Sequence, residues 1–391
     1  MADPEFKVRL ELFSGKIRFD RNELSGAFGD IGTDFPLIVS MILVSGLDAA
    51  SVLIMFGLMQ TATGLIYGLP MPVQPLKAMA AIVITQKLSG DILYGGGLAI
   101  GLLMLFLAAT GLINWIARVV PKSVIRGLQF GLGLQLASLA LKNYVPAEGM
   151  AGYILAAVLF VITLSLLGNR RYPPAPFVIL LGILYALILR VDMPALMHSF
   201  AFGLPQFHEP SLEDVLTGLV VLAIPQLALS LGNSILATRQ IIEDFFPGQP
   251  VSIRKISFTY SLMNLIQPFF SGIPVCHGSG GFAGHYTFGA RTGGSVILYG
   301  LLYLFLGLFF SSGFKEVIQI FPQPVLGIIL MFEGLALMKL IRDMTDSKAN
   351  FVIALMVGLM ATTLPYGYLI GLLVGTSLAY LADRQLAKLA E

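Results

Sequence analysis

The chain has 391 residues, 56 % of them hydrophobic and 12 % charged, with a formal net charge of +2. Soluble domains carry about 25 % charged residues, so a water-soluble surface is excluded, and the near-neutral balance excludes a basic nucleic-acid face. Cys276 is the single cysteine, which excludes an internal disulfide and any multi-cysteine metal cluster.

The opening Met1-Ala2-Asp3-Pro4-Glu5-Phe6 reads as a cloning-site remnant and is set aside from fold reasoning. Residues 1–20 form a charged, amphipathic N-terminal segment without the basic tip and apolar run of a cleavable signal peptide. From residue 24 onward apolar runs recur at the length of about 20 residues that crosses a hydrocarbon core of roughly 30 Å. Fourteen segments are expected: 24–47, 49–70, 71–90, 91–120, 122–145, 149–169 and 172–193, then, beyond a polar stretch at 194–211, 212–238, 252–272, 273–293, 295–314, 316–340, 347–365 and 366–384. The fold class is an all-α, multi-pass integral membrane protein with the lipid bilayer as its solvent.

Basic residues favour cytoplasmic loops. With the N-terminus inside, Lys87, Lys142, Arg190 and Lys315 are the only Lys and Arg placed outside, Lys77 falls within a span, and all the rest fall inside. Both termini are therefore expected to be cytoplasmic, in a plasma (inner) membrane.

Fourteen spans divided at 194–211 make seven plus seven, and an odd repeat enters the membrane from the opposite side, as an inverted repeat. Gly68-Leu69-Pro70-Met71 and Gly272-Ile273-Pro274-Val275 match, each between the second and third spans of its half. After the first, Met71-Pro72-Val73-Gln74-Pro75 places two prolines where a helix should start, which predicts an extended stretch over 71–74 and a helix from Pro75 through Ile84. The counterpart, Pro274-Val275-Cys276-His277-Gly278-Ser279-Gly280-Gly281, is expected to be extended or loop-like, with a helix from about Phe282.

Broken helices at corresponding places in two halves are the best sequence pointer to a transporter's substrate site. Each half-helix would present free N–H groups and a positive dipole end, and two such ends facing each other make an anion site. Gly278, Gly280 and Gly281 allow close backbone approach, and Gln74 and Ser279 offer side-chain donors. Lys77 follows in the first helical turn; it either meets the anion or snorkels to an interface.

The first span carries Ser25-Gly26-Ala27-Phe28-Gly29-Asp30-Ile31-Gly32-Thr33-Asp34-Phe35-Pro36, a pattern that argues for a locally unwound helix beside a cavity. Asp30 and Asp34 share a helical face. Either could carry a proton coupled to transport, or cap the broken helix and pair with Lys77. In the eighth span Gln226, Ser230 and Asn233 fall on one face by i, i+4, i+7 spacing, facing substrate or bonding neighbouring helices. Cys276-His277 lacks the acid partner and spacing of a nucleophilic site, so no catalytic residue and no enzyme activity is expected. His277 reads instead as a ligand donor or titrating group. Arg291 lies either on the cytoplasmic route of the anion or under the positive-inside bias alone. Glu333 lies within the twelfth span, in bundle pairing or function. No metal or cofactor is expected.

Three motifs together resemble those of the molybdate transporters related to sulfate permeases: Phe28-Gly29-Asp30-Ile31-Gly32-Thr33; Pro70-Met71-Pro72-Val73-Gln74-Pro75-Leu76-Lys77-Ala78; and Pro274-Val275-Cys276-His277-Gly278-Ser279-Gly280-Gly281 with Phe288-Gly289-Ala290-Arg291. The resemblance implies a fold like that of uracil and sulfate permeases, with a core domain from 24–121 and 212–314 and a gate domain from 122–193 and 315–385. It implies a substrate site at 71–77 and 275–281, between short strands, with Thr33 and parts of spans one and eight around it. The chain ends just after its last span, without the soluble regulatory domain of many sulfate permeases, which fits the molybdate branch. The function implied is secondary active transport of molybdate, inward, with protons as the candidate coupling ion and a homodimer as the candidate assembly. The alternatives are a sulfate or other oxyanion carrier of the same fold, then a passive anion channel.

Overall fold

The computed structural model describes residues 9–11, 16–169, 171–191, 194, 200–314, 318 and 320–390. Lys7, Arg170 and Lys315 of the charge pattern, the 315 domain boundary and 195–199 of the expected linker lie outside the described residues.

A small hairpin, β1 (Arg9–Glu11) with β2 (Lys16–Arg18), precedes the helices. The first apolar run is broken as its glycines and aspartates predict: α1 (Arg21–Ala27) and α2 (Ile31–Ser45) meet at 41°. Capping side chains set the starts. Asp20 accepts from the N–H groups of Asn22 and Glu23 at 2.8 and 3.1 Å, and Asp48 accepts from the Ser51 N–H at 2.8 Å to open α3 (Ala49–Tyr67). The chain then runs extended into β3 (Gln74–Pro75), α4 (Lys77–Gln86), α5 (Gly90–Ala109), α6 (Leu112–Val119), α7 (Lys122–Leu139), α8 (Gly149–Leu166) and α9 (Pro174–Leu189).

In the second half α10 (Leu212–Gly218), α11 (Ile224–Leu229) and α12 (Thr238–Phe245) are joined into one run by wide π-helical turns at Leu219–Ala223 and Ser230–Ala237. Then follow α13 (Ile253–Ile266), β4 (Val275–Cys276), α14 (Ser279–Thr287), α15 (Gly294–Phe310), α16 (Gln323–Met338), α17 (Lys348–Thr363) and α18 (Gly367–Ala390).

Among the described residues five helical runs are long and apolar enough to cross a membrane, six if the bent α1–α2 pair is one crossing. Four shorter apolar helices accompany them: Pro174–Leu189, Gly294–Phe310, Lys348–Thr363 and Gly367–Ala382. Polarity is inverted relative to a soluble fold. Large apolar side chains such as Ile188, Leu359 and Leu373 stand exposed, while Asp30, Asp34, Gln74, His277 and Glu333 are fully buried. That distribution suits lipid outside and a polar seam inside.

Two helix groups are evident. α15 packs along α3 and α1, and α10 and α13 pack on α5; separately, α17 packs along α7, and α16 lies on α7 and α8. The described part of the 194–211 stretch is strapped onto helix ends, through Ala201 N–H to the Phe309 carbonyl at 3.0 Å and His208 N–H to the Phe269 carbonyl at 2.9 Å.

Candidate functional site

The two helix breaks meet. β3 and β4 pair antiparallel, Gln74 opposite Cys276 and Pro75 opposite Val275, and the Leu76 N–H donates to the Pro274 carbonyl at 3.1 Å. That crossing bond holds residues 75 and 76 extended, so α4 starts at Lys77 rather than at Pro75. At the partner break α14 starts at Ser279, three residues before the expected Phe282, with Gly278 as its cap.

Each strand has a free edge that would strand polar backbone inside apolar protein. An amide side chain closes each one. Gln60 donates to the Val73 carbonyl at 2.7 Å and accepts from the Val73 N–H at 3.1 Å. Asn264 does the same for Val275, at 2.6 and 2.9 Å. These clamps stand on α3 and α13, the helices that precede the two breaks.

The N-termini of α4 and α14 do converge on this crossing, but protein oxygens already sit against them. The Gln226 carboxamide oxygen accepts from the Ala78 and Met79 N–H groups at 2.9 and 3.2 Å. Its nitrogen donates to Ser230 at 3.2 Å, and Ser230 shares a 2.7 Å hydrogen bond with Tyr260. At α14, the Ser279 hydroxyl donates to Asn233 at 2.7 Å. Asp30 accepts from the Gln74 amide at 2.6 Å. A Cβ at Gly278, Gly280 or Gly281 would collide with Gln74, Glu333 and Asp30 respectively, so these positions admit close approach of side-chain oxygens. The polar stripe of the eighth span thus bonds three elements, α4 through Gln226, α13 through Ser230 and α14 through Asn233, while Gln226 and Ser230 bond each other.

Thr33 donates to Glu333 at 2.9 Å, linking α2 to α16. Asp30, Asp34 and Glu333 are fully buried and carry carboxylate oxygens with no hydrogen-bond partner among the described residues. Both ring nitrogens of His277 are taken, Nδ1 by the Pro72 carbonyl at 3.0 Å and Nε2 by Thr259 at 2.8 Å. Its contacts therefore fix the strand. Cys276 is buried within β4.

Beside the crossing lies a cavity of about 770 Å³. Lys77 lines one wall with α11; Gln135 of α7, Ala361 of α17 and Tyr368 of α18 line the other. Of the residues expected at the site, Lys77 reaches this cavity; the others form the closed crossing behind it. The Lys77 ammonium donates to the Gln74 carboxamide oxygen at 3.4 Å.

The family described as "Molybdate transporter of MFS superfamily" matches residues 22–136 and 218–337. Molybdate transporter 2 of Arabidopsis thaliana is 35 % identical over 379 residues, covering 85 % of this chain and 81 % of that protein. The chain belongs to this molybdate transporter family. Two solved structures resemble it in fold. SLC26A9 aligns with a TM-score of 0.59 at 14 % identity over 92 % of this chain, which spans 64 % of that structure's length. The transmembrane domain of the cyanobacterial bicarbonate transporter BicA aligns with a TM-score of 0.56 at 15 % identity, covering 88 % of this chain and 97 % of that one.

This molybdate transporter family member holds further buried polar residues that sequence reasoning passed over. Glu23, 1 % exposed, accepts from the N–H groups of Arg291 and Thr292 at 2.9 Å each and of Ser295 at 3.1 Å, at the start of α15. A carboxylate at the mouth of a span was the available signal. Arg291 itself donates to the Tyr286 and Ala290 carbonyls at 2.7 and 2.6 Å, with its guanidinium over the Tyr286 ring. Gln60 and Asn264 were legible only as isolated amides within apolar runs.

Proposed function

We propose that the protein is a secondary active transporter that carries molybdate across a membrane, inward, and that the oxyanion passes the crossing of β3 and β4. The observation that carries this reading is the convergence of two broken half-helices and Lys77 beside a cavity, in a chain of the molybdate transporter family. A dianion in low dielectric needs convergent donors and a counter-charge, and helix N-termini with a lysine are such a set.

In this reading fourteen crossings form a seven-plus-seven inverted repeat with both termini cytoplasmic, in a plasma (inner) membrane. The packing supports it. Shifting each partner by seven spans converts the α3–α15 contact into the α5–α13 contact, and the α7–α17 contact into the α8–α16 contact. The core is then 24–121 with 212–314, the gate 122–193 with 315–385, and one rocks against the other around the site. Gln74, Lys77, Cys276, His277, Gly278, Ser279, Gly280, Gly281, Thr33, Gln226, Ser230 and Asn233 surround the substrate, the strand and helix-eight members by positioning backbone donors. Asp30 and Asp34 are the proton-coupling candidates, and Arg291 is the candidate on the cytoplasmic route.

Uptake of radiolabelled molybdate into proteoliposomes tests the proposal. Saturable uptake and counterflow, blocked by tungstate and little affected by sulfate at matched concentration, are expected. Equal inhibition by sulfate would replace the molybdate reading with a general oxyanion carrier, and single-channel currents would replace the carrier with a pore.

A further inference from the structure

The buried crossing and the cavity beside it differ in the polarity they offer a ligand. In this state acceptors sit at both helix starts of the crossing: the Gln226 carboxamide oxygen against α4, and unpartnered oxygens of Asp30 and Glu333 against the α14 glycines. Acceptor oxygens repel an oxyanion. The cavity wall is different, because its polar side chains are Lys77, Gln135, Tyr366 and Tyr368 and the rest of its lining is apolar side chain or backbone.

Lys77 makes no ion pair with a carboxylate among the described residues; its hydrogen bond is to the neutral Gln74 amide. The buried carboxylates of Asp30, Asp34 and Glu333 act on the Lys77 ammonium through space without pairing with it, so its head group keeps N–H donors for a ligand. Across from it the Tyr368 hydroxyl donates to the Gln135 oxygen at 2.9 Å, and the Gln135 nitrogen donates to the Ala361 carbonyl at 3.1 Å. An amide nitrogen has a second hydrogen, and a phenol O–H can rotate toward a charged acceptor, which binds it more strongly than a neutral one. At about 30 Å³ per water, the cavity of about 770 Å³ has room for an oxyanion that keeps part of its hydration.

We propose that Lys77, Gln135 and Tyr368 form a first binding station for a tetrahedral oxyanion dianion, in the cavity ahead of the buried crossing. Lys77 supplies the charge, and Gln135 and Tyr368 supply neutral donors from the opposite helix group. An anion held there touches α4 on one side and α7 and α18 on the other, so its arrival is sensed by both groups before it reaches the strands. The inference rests on the transport reading and adds a site to it.

Calorimetric titration of the purified full-length protein with molybdate tests the station. Tyr368→Phe and Gln135→Leu are each expected to weaken binding on the order of tenfold, as loss of a hydrogen bond to a charged group does, and Lys77→Met by more. Tyr185→Phe, whose hydroxyl bonds Glu148 away from the cavity, is expected to leave affinity unchanged. Thermal unfolding of each apo variant identifies those that fail to fold. A second measurement does not depend on affinity. Cys276 is 3 % exposed, so Gln135→Cys supplies the accessible thiol, and molybdate or tungstate is expected to slow its labelling by a water-soluble thiol reagent. Near wild-type binding by both Tyr368→Phe and Gln135→Leu, or labelling of Gln135→Cys indifferent to molybdate, would overturn the station while leaving the transporter reading intact. Absence of molybdate binding by the unmodified protein would remove the transporter reading itself and the station with it.

Discussion

Arg126 of α7 and Asp244 of α12 form an ion pair 2.7 Å long between the two helix groups, with the arginine side chain 2 % exposed. Asp343 holds the same guanidinium from the α16 side, at 2.6 Å from Nη2 and 3.0 Å from Nε. Gln129, one turn on, accepts from Arg126 at 2.8 Å and donates to the Ala237 carbonyl at 3.2 Å. Gln135 lies nine residues further along α7 than Arg126, about 14 Å at the helical rise. Polar contacts thus bind the groups at one end of α7, while a cavity separates them at the other.

A graded loss of stability follows. Removing Arg126 leaves two carboxylates without their buried partner, and Arg126→Met is expected to cost roughly 3 kcal/mol or more. Asp244→Asn leaves Asp343 in place and should cost about 1–3 kcal/mol. Lys122 also meets Asp343, at 2.9 Å, but is 48 % exposed; Lys122→Ala should cost under about 1 kcal/mol. Unfolding in detergent ranks the three, and equal effects would refute the assignment of Arg126 as the shared centre.

Gln226 separates a structural role from an electrostatic one. Gln226→Leu leaves the Ala78 and Met79 N–H groups without an acceptor, at a cost of about 1–3 kcal/mol. Gln226→Glu keeps an acceptor there and adds a negative charge at the α4 N-terminus, which the helix dipole favours by about 0.3–1 kcal/mol. Its melting temperature should fall too, since the carboxylate is fully buried and gives up the bond to Ser230. Molybdate affinity should fall further than in Gln226→Leu, about tenfold below wild type or more, as a fixed charge competes with the anion. Unchanged affinity would argue that the ligand never approaches α4.

The breaks that organise this site were legible because proline and glycine carry backbone rules that act locally: Pro72 and Pro75 forbid a regular helix start, and Gly278, Gly280 and Gly281 permit close approach. Lys77 was legible as a charge inside an apolar run. The acceptors seated on the helix N-termini were not, since Gln226 meets Ala78 only when the eighth span folds against the third. Spacing puts Gln226, Ser230 and Asn233 together, but which elements they bond, Tyr260 for Ser230 and Ser279 for Asn233, is set by tertiary packing. Gln135 and Tyr368 are brought together by tertiary packing alone, and no local pattern marks either.

Proton coupling has a direct test in the three buried carboxylates. Asp30→Asn, Asp34→Asn and Glu333→Gln each remove one ionisable group while keeping its shape. Loss of a coupling residue should flatten the pH dependence of molybdate uptake without abolishing equilibrium binding, because the proton gradient then no longer drives turnover. Glu333→Gln should be mildest, as the Thr33 hydroxyl can still donate to the amide oxygen. Profiles parallel to wild type for all three variants would place coupling elsewhere or exclude it.

The paired amide clamps make the sharpest test of the two-fold arrangement. Gln60 and Asn264 each replace a missing strand neighbour, so Gln60→Leu and Asn264→Leu should each orphan a buried N–H and a carbonyl, at about 1–3 kcal/mol per clamp. The strands pair with one another across Gln74 and Cys276, so the two losses share a partner and should not add independently. A double variant is expected to lose less than the summed effect on stability, because the strand pair is already loosened by the first. Molybdate binding should fall in every variant, since the strands aim α4 and α14. Strict additivity would mean that β3 and β4 are held separately, and the crossing would then be two adjacent supports with no shared function.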